Sequence, residues 1–411
     1  MYRADWVLPI SADPIPGGWV AVDAGKISRV GSGVATGASD LGRAAILPAL
    51  VNAHTHLELS YLRGIVRPAE RLLDWIRALM AERRAFPDAA DPAILRAARA
   101  GIAEARATGT GLVGDVGNTL ATVPLLRDVG VPARVFFELF GFDHPDPAAV
   151  VREARTKIRQ SGGSDTTVQI SLAAHAPYSV SPALLAAIRA DLDSDADGVS
   201  SVHLAESLDE VEFIAHGTGA WPGFLRELGV WNEAWRPPGV SPVDYLVDCG
   251  FLDSRVLAVH GVQCSWSDLA RLRALGATIV SCPRSNRYVG AGDPPLEAFY
   301  AMGVRVAFGT DSLASVENLN MFTELAAARR IAPRVPPRDL LKSATLFGAR
   351  ALGFDDFGSL EQGARAALIA VRLPEGIDDV EEYLVSGVEP ENIQWLDSAD
   401  CPVASRPVAH G

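Results

Sequence analysis

Apolar positions in this chain come in short bursts, not long runs. Bursts of strand length recur near residues 46–53, 111–116, 133–139, 168–174, 200–205, 256–260, 277–282 and 304–310. Most are separated by stretches of helical periodicity, the clearest from Pro92 to Thr108, where Ala, Leu, Ile and Arg alternate on a 3.6-residue repeat. Buried strands that alternate with helices predict an α/β fold with a parallel sheet. Eight of them over about 300 residues predict a (β/α)₈ TIM barrel, here expected over residues 48–355. In that architecture, chemistry gathers at the carboxyl ends of the strands.

The two ends of the chain read differently. Residues 1–47 hold short strands (Trp6 to Ile10, Trp19 to Val22, Lys26 to Val30) densely punctuated by Gly and Pro. They are too few to bury a core alone, and a matching strand-like run, Ala366 to Val371, lies near the other end. One internal segment also breaks the rhythm. Residues 206–250 are long for a connection and carry Trp221, Trp231 and Trp235, so they read either as a lid over the barrel mouth or as a peripheral helical insertion.

Composition narrows the function. The 411 residues are 48% hydrophobic and 21% charged, as a globular chain requires. A formal charge of −13 argues against nucleic acid or an anionic membrane as partner. The start MYRADWVLPISADP lacks the basic-then-apolar order of a signal peptide, and no apolar run approaches the roughly 20 residues of a membrane span. Four cysteines (Cys249, Cys264, Cys282, Cys401) form no CxxC pair. That fits a reducing compartment, and the cytoplasm is the expected location. The run Gly109-Thr-Gly111-Leu-Val-Gly114 satisfies G-x-G-x-x-G, yet a helix should precede it and a strand follow. Dinucleotide binding needs the reverse order, so it is rejected.

The predicted strand ends carry a constellation. The first offers His54 and His56, alternate residues that share a face. The fourth offers His175, the fifth His203 with Glu206 beyond it, the sixth His260 and the eighth Asp311. Five of the eight histidines thus fall on the one face where a barrel does chemistry. Imidazoles and a carboxylate can hold a divalent ion and leave a position for water. Glu206 is placed to move protons, and His260 to hold and polarise the attacking water.

The stretches LPALVNAHTHLELS, AAHAPYSVS, VHLAES, VHG, SCPRSNRY and GTDSLASVENLNMF, in this order from Leu47 to Phe322, resemble the amidohydrolase superfamily in its cytosine/adenosine deaminase-like branch. The pairing of HTHLELS with CPRSN and GTDSLAS is most similar to aminodeoxyfutalosine deaminases of menaquinone biosynthesis. The resemblance implies that His54, His56, His203 and Asp311 bind one divalent metal ion, zinc ahead of Fe²⁺. It implies catalytic roles for Glu206, His260 and Asp311. His175, Glu58, Glu82 and Asn286 would then meet a small-molecule nucleoside, His175 and Glu82 at its ribose. It further implies that segments 1–47 and 356–411 pair into a small β-sandwich domain. A lysine bridging two metals at the fourth strand is missing, since that strand ends in His175, so a one-metal site is expected. Ala49 replaces the usual Gly before the histidine pair, and the family pattern is expected to fade after about residue 373. Arg284 and Arg287 are expected to grip a substrate carboxylate, because a guanidinium fork matches one bidentately. The expected reaction is hydrolytic deamination of an adenine nucleoside that releases ammonia. Adenosine, methylthioadenosine or S-adenosylhomocysteine deamination and triazine-type hydrolysis are the alternatives. A non-catalytic barrel would need a lost ligand, and none is missing. A homodimer stays open.

Overall fold

Pro48 and Ala49 divide the first apolar burst between two sheets. In the computed structural model, which describes residues 1–396, Ala44–Pro48 ends one strand and Leu50–Thr55 begins another. The single strand expected over residues 46–53 is therefore two. Proline lacks the N–H that a continuing ladder would need, and the Ala49 N–H turns away to the carbonyl of Ala367 at 2.9 Å.

Ala44–Pro48 belongs to a five-stranded sheet. It pairs antiparallel with Leu368–Arg372 and parallel with Trp6–Val7, and Ile393–Trp395 and Ile15–Pro16 form the edges. A four-stranded sheet of Lys26–Ser32, Gly18–Asp23, Tyr2–Arg3 and Ser39–Asp40 stands with it. Val7, Val20, Ile27, Ile46, Leu360 and Leu368 are buried in one shared cluster. The N-terminal segment and the chain beyond the barrel thus complete one small β unit that neither could form alone. Residues 397–411, with Cys401 and His410, lie outside the described part.

The barrel strands are Leu50–Thr55, Thr110–Gly117, Ala133–Leu139, Val168–Ala174, Ser200–Leu204, Val256–His260, Thr278–Ser281 and Arg305–Phe308. They pair in parallel within two groups of four. Two seams remain, and both close at strand ends. The His203 N–H donates to the His175 carbonyl at 2.9 Å, and the Asp311 N–H donates to the His54 carbonyl at 3.0 Å. Gly114 explains the misleading glycine run. A Cβ there would lie 2.4 Å from the Ala53 carbonyl oxygen, so glycine permits close strand packing in a strand that follows the helix Pro92–Ala107.

The 206–250 segment folds as three short helices, Leu208–His216, Trp221–Glu227 and Pro242–Asp248. Ser207 and Ser241 cap the first and third by accepting a backbone N–H three residues on. Two ion pairs tie the segment to the helix Leu72–Arg83, from Arg71 to Asp209 (2.6 Å) and from Arg77 to Glu227 (3.1 Å). The Arg77 guanidinium also sits 5.1 Å from the Phe224 ring centre. Among the described residues, no helix is long and apolar enough to cross a membrane.

Candidate active site

All five strand-end histidines meet at one end of the barrel. The pleat that sends alternate residues to one face aims His54 and His56 inward together, and their ring centres lie 4.8 Å apart. His54, His56 and His203 each offer a nitrogen, with these atoms within 4.8 Å of one another. Asp311 Oδ1 stands 3.4 Å from His56 Nε2 and 3.7 Å from His54 Nε2. Its other oxygen accepts hydrogen bonds from Ser285 (2.5 Å) and Ser315 (3.4 Å), which leaves Oδ1 free to face the imidazoles.

The donor set suits a divalent cation. His54 is buried, and neither of its ring nitrogens has a hydrogen-bond partner among the described residues. Buried polar atoms are rarely left so, unless an ion completes them. His203 turns Nδ1 toward the His175 carbonyl at 2.9 Å. A carbonyl can only accept, so the proton is on Nδ1 and the lone pair on Nε2. Three imidazoles and one carboxylate form a nitrogen-and-oxygen set of the kind zinc accepts.

Opposite this set stand Glu206 and His260, with Glu206 Oε1 3.6 Å from His260 Nε2. Burial pushes the Glu206 carboxyl up to about 8, the nearby Asp311 charge adding to it and His203 opposing. Burial lowers His260 to about 4. Its Nδ1 meets Asn286 Oδ1 at 2.8 Å, so the neutral ring keeps Nε2 as an acceptor toward the site. The Glu206 backbone is itself clamped. Glu210, fully buried, accepts the N–H of Ala205 (2.8 Å) and of Glu206 (2.9 Å) with its two oxygens. Ala205, His260 and Asp311 all have positive φ (50°, 76° and 60°). Such backbone costs roughly 1–3 kcal/mol per residue, and these three positions lie at or just past the strand ends that carry the site.

These groups form one pole of a cavity of about 300 Å³. Glu138, Asn118, His175 and Ser312 continue the polar wall, while the opposite wall is apolar. The helix Leu72–Arg83 lends it Leu72, Ile76 and Leu79, and the 206–250 segment lends Trp221 and Phe224. Burial drops His175 to about 3, so its ring is a neutral hydrogen-bonding group against Phe140, 4.2 Å away between ring centres.

The model of the Amidohydrolase family matches residues 45–394. The chain belongs to the amidohydrolase family. The aminodeoxyfutalosine deaminase of Deinococcus radiodurans is 32% identical over 325 residues, covering 77% of this chain and 75% of that one. The 5-methylthioadenosine/S-adenosylhomocysteine deaminase of Halobacterium salinarum is 31% identical over 362 residues, covering 85% and 78%. A solved adenosine deaminase from Xanthomonas campestris with bound zinc superposes with a TM-score of 0.80 at 26% identity, covering 95% and 90%. Helicobacter pylori aminofutalosine deaminase in complex with methylthio-coformycin gives 0.82 at 24%, covering 93% and 94%, which speaks to the fold alone. This amidohydrolase is a hydrolase of carbon–nitrogen bonds from a metal-dependent family. The match also runs past residue 373, through the helix Val380–Val385 to the strand Ile393–Trp395, where the family pattern was expected to fade.

Not every expected contact of the amidohydrolase reaches the cavity. Glu58 and His175 line it. Glu82 does not; it is exposed on the outer side of its helix, whose cavity face ends in Arg83 instead. Asn286 is buried behind His260 and acts on the site through that ring. Arg284 is spent on buried Glu324 (2.5 Å) and on Asn318 (3.0 Å). Arg287 is tied to Asp293 at the surface, Nη2 at 2.9 Å. Neither arginine borders the cavity, because a nearer acid claims each one.

Glu138 is the site residue that the sequence reading missed. It is the last residue but one of the third barrel strand, is 5% exposed, and holds Oε1 3.3 Å from His203 Nδ1. Asn118 Nδ2 donates to its other oxygen at 3.1 Å. Burial opposes its ionisation, but the His203 Nδ1–H that faces it outweighs that and holds the carboxyl well below its usual range. An ionisable residue at the carboxyl end of the otherwise apolar run VFFEL was the available signal.

Proposed function

We propose that this amidohydrolase deaminates an adenine nucleoside by hydrolysis, with aminodeoxyfutalosine of menaquinone biosynthesis as the leading substrate. The observation that carries the reading is the Glu206–His260 pair facing three imidazoles and Asp311 across one cavity. His54, His56, His203 and Asp311 would hold one divalent ion, zinc first. When bound, such an ion acts as a Lewis acid that lowers the pKa of water from 15.7 toward about 7.

The remaining chemistry belongs to the chain. His260 Nε2 accepts a hydrogen bond from the attacking water and fixes its approach to the purine carbon that bears the amine. Glu206 takes the water's proton and delivers it to the adjacent ring nitrogen. A carboxyl poised near neutrality does this with little cost in either direction. Glu206 then carries the proton of the newly formed hydroxyl to the amine, so that ammonia leaves as the carbonyl forms and the ring N–H is kept. His175 and Glu138, one neutral and one charged, face the sugar.

The mixed relatives support the class more firmly than the individual substrate, and adenosine, methylthioadenosine and S-adenosylhomocysteine remain the competing substrates. Ammonia release from this panel tests the reading. Turnover of at least one nucleoside by wild type is expected, with Glu206→Gln retaining metal and losing about 10²–10⁴ in kcat. Unchanged kcat in that variant would remove Glu206 from the reaction.

A further inference from the structure

Arg83 is the one arginine or lysine among the described residues that border the cavity. Its helix explains its position. Leu72, Ile76, Leu79 and Arg83 follow one another at helical spacing on a single face, and all four line the cavity. At 1.5 Å per residue this face runs for roughly 16 Å. It is an apolar track with a cation at one end.

The guanidinium is underused. Among the described residues its one hydrogen bond goes to Glu58 Oε1 at 3.4 Å, and its side chain is 36% exposed. An arginine carries five donors in a planar fork. Arg284, by contrast, meets Glu324 and Asn318 with several nitrogens. Glu58 has little left to offer either, since Thr119 Oγ1 (2.6 Å) and the Asn118 N–H (3.2 Å) already occupy it. The pair therefore presents free donors to the cavity and few free acceptors.

We infer that Arg83 is a specificity-determining residue that grips a carboxylate at the end of an apolar or aromatic 5′ arm of the nucleoside. The inference rests on the nucleoside-deaminase reading and narrows its substrate class. An arm of that chemistry lies along the leucine and isoleucine face, where aromatic carbon is well accommodated, and ends in two oxygens that match the fork. A zwitterionic amino-acid arm fits less well. Its ammonium would need an acceptor beside Arg83, and three donors already share the Glu58 carboxylate.

The test uses the metal-loaded enzyme and an adenosine carrying a benzoate on its 5′ arm, alongside the methyl ester of the same compound. The readout is the ratio of the two kcat/KM values. Wild type should favour the acid, and Arg83→Met should lower that ratio about 10–100-fold, mostly through KM, as loss of a charge-assisted pair does. Arg83→Lys should restore part of it, because lysine keeps the charge and loses the fork. Ester turnover reports in the same assay that each variant is folded. A wild-type ratio near one, or the same ratio in Arg83→Met, would overturn the inference and leave the deaminase reading standing. Failure to turn over either compound, or any other adenine nucleoside, would sink both.

Discussion

The backbone N–H of Asp311 donates to the carbonyl of His54 at 3.0 Å, so the last and first barrel strands are joined by two residues whose side chains face the same site. Closure of the barrel and assembly of the donor set are one event. Fixing both backbones sets the side chains before any ion arrives, which is preorganisation of a metal site.

Ligand truncation should therefore separate binding from folding. His54→Ala and Asp311→Ala are expected to lose both metal and activity while keeping the seam, because the seam uses backbone groups. Elemental analysis of wild type should give about one equivalent of metal. Two tightly held equivalents would contradict the single-ion site.

Glu138→Gln should weaken metal binding without unfolding the chain. The residue touches Nδ1 of His203 from behind, and partners of this kind typically account for 10–100-fold in metal affinity. Competition with a chelator reads the affinity, and the melting temperature with saturating metal reads the fold. A lower melting temperature with unchanged affinity would make Glu138 merely structural.

Arg284 and Arg287, three residues apart in sequence, should differ sharply in stability effects. Arg284 pairs with a fully buried Glu324, and removing one partner of such a pair costs about 3–5 kcal/mol. The Arg287–Asp293 pair is half exposed, which places Arg287→Met at about 0–1 kcal/mol. Denaturant midpoints for the two methionine variants check this. Equal losses would mean that burial does not govern the pairs.

Asp115 gives the metal-free protein a pH dependence. Its oxygens hold the Leu57 N–H (2.9 Å) and the Thr122 hydroxyl (2.6 Å), and burial raises its carboxyl to about 7 from 3.8. The folded chain thus holds this proton more tightly than the unfolded one. Its contribution is complete below pH about 3.8 and is lost as pH rises through 7. Between pH 5 and 8, wild type should lose stability relative to Asp115→Asn, by at most about 1.4 kcal/mol per unit. Parallel curves for the two proteins would count against a buried, titrating Asp115.

Much of this was legible in the sequence, for a physical reason. Barrel strands are short and apolar, and their ends must carry the chemistry, so His54, His56, His203, His260 and Asp311 could be read from strand-end position alone. The split at Pro48 was harder, since both halves of the burst are equally apolar and only the partner sheet differs. Arg284 and Arg287 misled because sequence shows charge and not who claims it. Glu324 lies 40 residues from Arg284 and cancels it in space. Glu82 and Arg83 differ by one helical step of about 100°, enough to send one to solvent and the other to the cavity.

Deamination in ¹⁸O-labelled water tests the central chemistry most directly. An adenine nucleoside turned over by the metal-loaded enzyme should yield ammonia and a product with one solvent oxygen at the carbon that carried the amine. Glu206→Gln should form that product about 10²–10⁴ times more slowly. Unlabelled product, or no product from any adenine nucleoside with the metal bound, would contradict hydrolytic deamination at this site.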